Sequence, residues 1–191
     1  IMAGLGVKTT LVHRGNSLLR GFDQDIQDRL CGEISKYCDL RLNSNIISIT
    51  RTSSQYSVHF DTGDELQTGA IMFATGRNPN TAGLGLEALG VKLAKNGAVV
   101  VDDKFQTSVP GIYAVGDVID RVALTPVALA EGQILAQQLF GKPSRTMSYE
   151  NIPTAVFSHP NIGTVGLTEE QARKVCDQVA VYKIRFTPLL Q

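Results

Sequence analysis

The 191-residue sequence has few cysteines, no excess of charge of either sign and no long apolar run. Its cysteines, Cys31, Cys38 and Cys176, are an odd and sparse set, which excludes a disulfide framework and makes a reducing cytoplasm the expected compartment. Lysine and arginine number 18, as do aspartate and glutamate, so nucleic acid and anionic membranes are not expected partners. No apolar stretch approaches the roughly 20 residues of a membrane-spanning helix.

The most informative stretch is residues 111–132, GIYAVGDVIDRVALTPVALAEG. The apolar run Ile112–Val115 predicts a buried strand, and a Gly-Asp pair follows at its carboxyl end, where open α/β sheets bind their ligands. Gly116 has no β-carbon, so a ligand can approach the backbone there. Asp117 offers a carboxylate at the same point.

A capped helix is predicted soon after this turn. Thr125 has the residue type of an N-cap, Pro126 suits the first helical position, and Gly141 is expected to end the helix. The start of such a helix presents free N–H groups and a partial positive charge. The carboxylate could bind the hydroxyl groups of a sugar-alcohol chain, and the helix start would favour negative charge on a reduced ring. Both features suit a flavin dinucleotide. On these residues alone, a strand, a turn and a surface helix without a ligand fit equally well.

The beginning of the chain predicts the second half of a βαβ unit. Gly6 ends a helical turn, and the β-rich Val7–Val12 follows. In nucleotide-binding folds an acid after this strand binds the ribose hydroxyls, whereas arginine accommodates the extra phosphate of NADP. Here the strand ends at His13-Arg14, and Arg20 follows six residues later. Guanidinium groups match phosphate bidentately, so the pattern favours NADP over the alternative of two solvated loop arginines.

Helices and strands share the rest of the chain. Asp23–Tyr37 has the spacing of an amphipathic helix, and Thr168 to Gln171 has the pattern of a capping box that begins another. Strands are predicted at Tyr56–Phe60, Ala70–Thr75, Val99–Asp102, Thr154–Ser158, Thr164–Leu167 and Val179–Phe186.

Two long motifs resemble the pyridine nucleotide–disulfide oxidoreductases. GIYAVGD followed by LTPVA is similar to the flavin-binding segment of that family, and residues 152–172 are similar to its glutathione reductase branch. The resemblance covers essentially the whole chain, which is expected to be the central part of a longer protein. It implies an α/β flavoprotein with two partial, Rossmann-like dinucleotide-binding domains and the start of an α+β dimer-interface domain. The implied segments are a partial NADP-binding domain (1–77), the C-terminal segment of a split FAD-binding domain (78–143) and the start of the interface domain (144–191).

The resemblance also implies site residues. Asp117 would bind the ribityl chain of FAD, and Leu124 and Thr125 would present backbone to the flavin ring. Arg14 and Arg20 stand where NADP-dependent members carry phosphate-binding arginines. The full implied sets are Gly116, Asp117, Leu124 and Thr125 for FAD, and Arg14, Arg20, Gly76, Ala123 and Ala155 for NADP.

The implied enzyme is a homodimeric, NADPH-dependent disulfide reductase. In such an enzyme NADPH transfers a hydride to FAD, and the reduced flavin reduces the disulfide of a redox-active cysteine pair to two thiols. These thiols then reduce glutathione disulfide or a similar small disulfide by thiol–disulfide exchange and are oxidised back to the disulfide. The sequence contains no Cys-x4-Cys pair, and His159-Pro160 resembles a structural His-Pro of the interface domain, not the catalytic one. No catalytic residue and no metal site are therefore predicted here, and these residues alone are expected to be inactive.

Other functions stay open. Some glutathione reductases use an arginine on glutathione where this chain has Gln133, which weakens the glutathione assignment. A trypanothione, thioredoxin or other disulfide reductase is the second interpretation, whereas a lipoamide dehydrogenase is disfavoured by Arg14 and Arg20 because it uses NAD. A non-catalytic flavin or dimerisation module is the third, although an incomplete flavin domain would leave strand edges unpaired.

Overall fold

The computed structural model describes residues 1–141, 145–184 and 186. The chain divides into two compact units, one formed by Ile1–Met72 with Asn151–Gln191 and the other by Phe73–Glu150. The predicted first and third segments thus fall largely in one unit and the predicted FAD segment in the other. The boundaries at 77 and 143 stay a prediction.

The first unit begins with the predicted helical turn, Gly6 and a strand, although the strand is shorter than Val7–Val12. The βαβ unit that follows was not predicted from the sequence. After a 3-10 helix at Ala3–Leu5, the strands β1 (Thr10–Val12) and β2 (Asp39–Arg41) run parallel and are joined through helix α1 (Gln24–Ile34). The helix begins after Asp23, whose carboxylate accepts a hydrogen bond from the Asp25 N–H at 3.2 Å. This side-chain cap explains why the helix starts where the sequence predicts, although it ends three residues earlier than Tyr37.

An antiparallel meander follows in the same unit. Strands β3 (Ile46–Arg51), β4 (Tyr56–Phe60) and β5 (Glu65–Thr68) pair in chain order, and Gly63 supplies the positive φ of the turn between β4 and β5. The predicted strand at Tyr56–Phe60 is confirmed, and its Val58 and Phe60 side chains are buried, as is that of Ser57. Two apolar side chains on the central strand therefore hold this small sheet.

The C-terminal part of the first unit consists of a strand pair and a short helix. Strands β6 (Thr154–Val156) and β7 (Ile162–Thr164) are antiparallel, and helix α3 spans Glu169–Val175. The predicted capping box is confirmed, because the Thr168 hydroxyl accepts the Gln171 N–H at 3.2 Å and the Gln171 amide oxygen accepts the Thr168 N–H at 2.9 Å.

The second unit is built around one long helix. Helix α2 spans Thr125–Phe140 and follows a 3-10 helix at Gly116–Ile119. Residues 73–115 are held by turns and isolated bridges, without a continuous ladder. A buried apolar cluster fills this unit, made by Val91, Val99, Phe105, Ile119 and Ile134.

Several predicted strands are wrong. Val99–Asp102 contributes two isolated bridges and Ile112–Val115 contributes one, and Ala70–Thr75 has no strand partner among the described residues. In the described part of Val179–Phe186, likewise, no strand is formed. An apolar run becomes a strand only when a neighbour pairs its backbone groups, so the hydrophobic pattern alone overestimates strand content.

The predicted hairpin strands of the C-terminal part are shorter or shifted. The first ends at Val156 and not at Ser158, and the second starts two residues before Thr164. Across the described part of the chain, no helix combines the length and the apolar character needed to cross a membrane.

Candidate functional site

The four residues predicted to bind FAD lie in the second unit, on the 3-10 helix and at the start of α2. Gly116 begins the 3-10 helix with a φ of +74°, and a β-carbon built there would lie 3.2 Å from the β-carbon of Ala128. Glycine is therefore required because α2 packs closely against this turn. That requirement is independent of the ligand approach for which the sequence singled out Gly116.

Three hydrogen bonds hold the 3-10 helix and the residue that follows it. The Gly116 N–H donates to the Glu131 carboxylate at 2.5 Å. The Val118 carbonyl accepts the Val99 N–H at 2.9 Å, and the Asp120 carboxylate accepts the Asn96 side-chain amide at 2.6 Å. The backbone on both sides of Asp117 is thereby fixed.

Asp117 itself is exposed, and its carboxylate has no partner within the described ranges. Its neighbours are tied into the unit, whereas this side chain keeps all of its acceptor capacity. An unpaired carboxylate on a fixed turn can accept hydrogen bonds from the hydroxyl groups of a ligand. The geometry therefore suits the predicted contact with a sugar-alcohol chain.

Helix α2 begins one residue earlier than the sequence predicts. Leu124, not Thr125, occupies the N-cap position, and no side chain caps the helix start. The prediction that Thr125 is the N-cap is wrong, because the Leu124 carbonyl already accepts the N–H groups of Val127 and Ala128. The start of a 16-residue helix without a side-chain acceptor carries a partial positive charge, which favours an electron-rich group in front of it.

Sequence reasoning missed a buried polar network behind the turn. Glu131 is 1% exposed, and its carboxylate accepts the Tyr149 hydroxyl at 2.6 Å in addition to the Gly116 N–H. The Tyr149 oxygen in turn accepts a hydrogen bond from Arg121 at 3.2 Å. Burial, and after it the bond to Glu131, raises the pKa of the Tyr149 phenol, so the hydroxyl stays protonated and donates.

Arg121 connects this network to a second part of the same unit. Its guanidinium donates to the carbonyls of Val101 and Asp102, both at 3.1 Å, and lies over the rings of Phe105 and Tyr149. One signal for the network was present in the sequence, since Glu131 falls at helical spacing between Val127 and Ile134 on the apolar face of α2. A charged residue on such a face needs a buried partner.

The two arginines predicted to bind the NADP phosphate lie in the first unit, on the loop between β1 and α1. Arg14 and Arg20 are both exposed, and neither has a hydrogen bond or an ion pair with any described residue. The start of the loop is fixed, because the His13 N–H donates to the Arg41 carbonyl at 2.8 Å and the Gly15 carbonyl accepts the Asn43 N–H at 2.9 Å. Two unpaired cations on an anchored loop suit an anionic ligand.

The other residues predicted to contact NADP are divided between the units. Gly76, with a φ of +134°, and Ala123 are exposed residues of the second unit. Ala155 is an exposed residue of β6 in the first unit, opposite Gly163. Their assignment to NADP stays a prediction. Over residues 1–141, 145–184 and 186, no group of three or more His, Cys, Asp or Glu side chains is placed to hold a metal ion.

Comparison with known protein families identifies two matching regions. Residues 1–132 match the pyridine nucleotide-disulphide oxidoreductases, and residues 152–190 match the dimerisation domain of the same proteins.

Individual proteins match over almost the whole chain. Glutathione reductase from Burkholderia cepacia is 46% identical over 99% of this chain and 42% of the relative. Trypanothione reductase from Trypanosoma congolense is 42% identical over 97% of this chain and 38% of the relative. The solved structure of the HOCl-induced flavoprotein disulfide reductase RclA from Escherichia coli superimposes with a TM-score of 0.84 at 33% identity, over 90% of this chain and 40% of that one. The chain therefore spans about two fifths of the length of these proteins.

Proposed function

This chain belongs to the pyridine nucleotide-disulphide oxidoreductase family, and from that premise we propose that it is part of an NADPH-dependent glutathione-disulfide reductase. The predicted family is confirmed, as are the α/β flavoprotein fold class and the cofactors FAD and NADP, which this family uses. The activity, the substrate and the homodimer of the whole protein belong to the proposal.

The observation that carries the proposal is the Asp117 carboxylate, which has no partner among the described residues and lies on a fixed turn that packs against α2 near the start of that helix. Asp117 would hold hydroxyl groups of the ribityl chain, and the backbone of Leu124 and Thr125 would border the ring. Gly116 allows the helix to pack close to the turn. FAD and NADPH, when bound, supply the hydride chemistry, and these residues bind and orient.

The preference for NADPH rests on Arg14 and Arg20. Both guanidinium groups are unpaired and exposed in the described chain, on a loop that follows the first strand of a parallel pair. They would bind the extra phosphate through charge-assisted hydrogen bonds, which are stronger than neutral ones. Gly76, Ala123 and Ala155 are proposed to border the rest of the nucleotide.

The identity of the disulfide substrate is the most specific part of the proposal. Glutathione disulfide is favoured by the 46% identity to a glutathione reductase. Trypanothione disulfide is the second candidate, because a trypanothione reductase is 42% identical and because Gln133 replaces the arginine of some glutathione reductases. The Gln133 side chain accepts a hydrogen bond from Arg145 at 3.4 Å. We propose a cytoplasmic location, because the three cysteines of this chain are too sparse a set for a disulfide framework.

The test uses the protein as its natural gene encodes it. We expect a flavin absorption spectrum and NADPH-dependent turnover of glutathione disulfide that exceeds turnover of trypanothione disulfide. Arg14→Ala and Arg20→Ala should each weaken NADP+ binding by about tenfold to a hundredfold, because each removes a charge-assisted hydrogen bond, and leave NAD+ binding unchanged.

Arg29→Ala is the matched control, since Arg29 lies on α1 of the same unit and pairs with Glu33 at 2.8 Å. A protein without flavin, or one whose NADP+ affinity survives both loop substitutions, would contradict the proposal. Faster turnover of trypanothione disulfide would keep the family chemistry and change the substrate.

A further inference from the structure

We propose that Glu131 is a positioning residue of the flavin site: its buried carboxylate holds the Gly116–Ile119 turn through the Gly116 N–H, so that Asp117 stays presented to FAD. The part of this inference that concerns FAD rests on the proposed function. The part that concerns the turn rests on the structure alone.

The first observation is the hydrogen-bond requirement of Gly116. Its positive φ directs the chain into the 3-10 helix, and its N–H has no backbone acceptor within the described residues. The Glu131 carboxylate, at 2.5 Å, is the acceptor it has. Val127 and Ile134 show that apolar residues fill the same face of α2, so packing alone does not require a glutamate there. An apolar residue would leave the part-buried Gly116 N–H without this acceptor.

The second observation is that the carboxylate is itself fixed. The Tyr149 hydroxyl occupies its other oxygen at 2.6 Å, and Arg121 holds that hydroxyl at 3.2 Å. Arg121 is in turn bonded to two backbone carbonyls. The Glu131 side chain is 1% exposed and hydrogen-bonded at both oxygens, so it has one available position. Its bond to the Gly116 N–H therefore holds the turn in one position as well.

The third observation is that the Asp117 side chain is exposed although the backbone before it is fixed. Asp117 follows directly after the anchored Gly116 but is exposed and unpaired within the described chain. The backbone before Asp117 is already held in place, whereas the carboxylate can still accept hydrogen bonds. Less conformational freedom is therefore lost when a ligand binds. The network therefore acts on FAD through Asp117, without contact between Glu131 and the ligand.

The experiment compares Glu131→Ala, Glu131→Gln and Ile134→Ala in the protein as its gene encodes it. Hydrogen exchange of the peptide covering residues 111–120 reports on the turn, and flavin fluorescence titration gives the Kd for FAD. Glu131→Ala should speed exchange at Gly116 and raise the Kd for FAD, each by about tenfold, because one charge-assisted hydrogen bond is lost. Glu131→Gln should restore most of both, since the amide oxygen also accepts an N–H.

Ile134 is the matched control, because it lies on the same helix face and is equally buried, at 2% exposure. Ile134→Ala should lower stability but leave the Kd for FAD within about twofold to threefold. Should Glu131→Ala fail to fold, Tyr149→Phe takes its place, since it removes one of the two donors to the carboxylate and is expected to shift both measurements in the same direction.

The outcomes are distinguishable. Unchanged exchange at Gly116 in Glu131→Ala, or an equal rise in the Kd for FAD in Ile134→Ala, would overturn the positioning role. Faster exchange with an unchanged Kd would retain the anchor and overturn its effect on the ligand. A wild-type protein that binds no FAD would overturn the proposed function, while the exchange measurement still decides whether Glu131 holds the turn.

Discussion

All seven strands of the described chain lie in the first unit, whereas seven of its ten buried hydrophobic residues lie in the second. The first unit is organised by backbone pairing and helix caps, and among its described residues only Leu30, Val58 and Phe60 are buried hydrophobic residues. The described part of the second unit has one α-helix and no continuous ladder, yet it encloses an apolar cluster and a buried carboxylate. Regular secondary structure and burial are therefore separate sources of order in this molecule.

This difference matters for the candidate sites. In the first unit the loop with Arg14 and Arg20 is positioned by the ends of two short parallel strands. In the second, the turn with Asp117 is positioned by side chains that pack and bond behind it. Substitutions that remove one buried side chain should therefore affect the second unit more than the first.

The largest effect is expected from Phe105→Ala. Phe105 is fully buried in the cluster of the second unit, with the Arg121 guanidinium 5.9 Å from its ring centre. Its truncation leaves a cavity and should lower the free energy of unfolding by about 3–5 kcal/mol. Denaturant unfolding measures the loss, and limited proteolysis should cut first within 73–150. Phe157→Ala is the control, since Phe157 is 92% exposed; equal losses for both would show that the cluster does not carry this unit.

Smaller changes in the free energy of unfolding are expected from alanine substitutions at two glycines, one packed against α2 and one within it. The two changes should differ in sign. Gly116→Ala places a β-carbon 3.2 Å from Ala128 at a φ of +74°, and should destabilise by about 1–3 kcal/mol. Gly132→Ala lies inside the helix with no atom within 4 Å of the new carbon, and should stabilise by about 0.5–1 kcal/mol. Thermal unfolding of both variants checks the pair, and two changes of the same sign would contradict the packing argument.

The smallest effect concerns the first unit. The Asp23 carboxylate accepts the Asp25 N–H at 3.2 Å and the Glu169 N–H at 2.9 Å, so one side chain caps the starts of α1 and α3. Asp23→Ala should cost about 1–2 kcal/mol and speed hydrogen exchange in the first turns of both helices. Asp23→Asn should restore α1, because asparagine is an equally good N-cap. Asp28→Ala, on the exposed face of α1, should leave α3 unchanged; protection of α3 that survives Asp23→Ala would rule out the shared cap.

Prediction from the sequence succeeded where the determining contacts are local. The capping box at Thr168 and the end of α2 at Gly141 each depend on residues within a few positions of one another. The candidate flavin residues also come from a contiguous motif, and their role in binding FAD stays a proposal. Thr125 was wrongly assigned as the N-cap, because threonine fits both the N-cap and the first helical position. The backbone conformation of Leu124 makes Leu124 the N-cap and Thr125 the first residue of the helix.

The sequence by itself determined the family and the helical turn and strand with which the first unit begins. It also indicated the candidate ligand-binding residues, whose roles stay a proposal. Only the tertiary structure decided which apolar runs find a strand partner, why Gly116 is required and how Glu131 supports the turn. The physical reason is sequence separation. The Gly116–Glu131 bond joins residues 15 apart and the Asp23–Glu169 bond joins residues 146 apart, and a pattern read along the chain carries no information about such pairs until the fold brings them together.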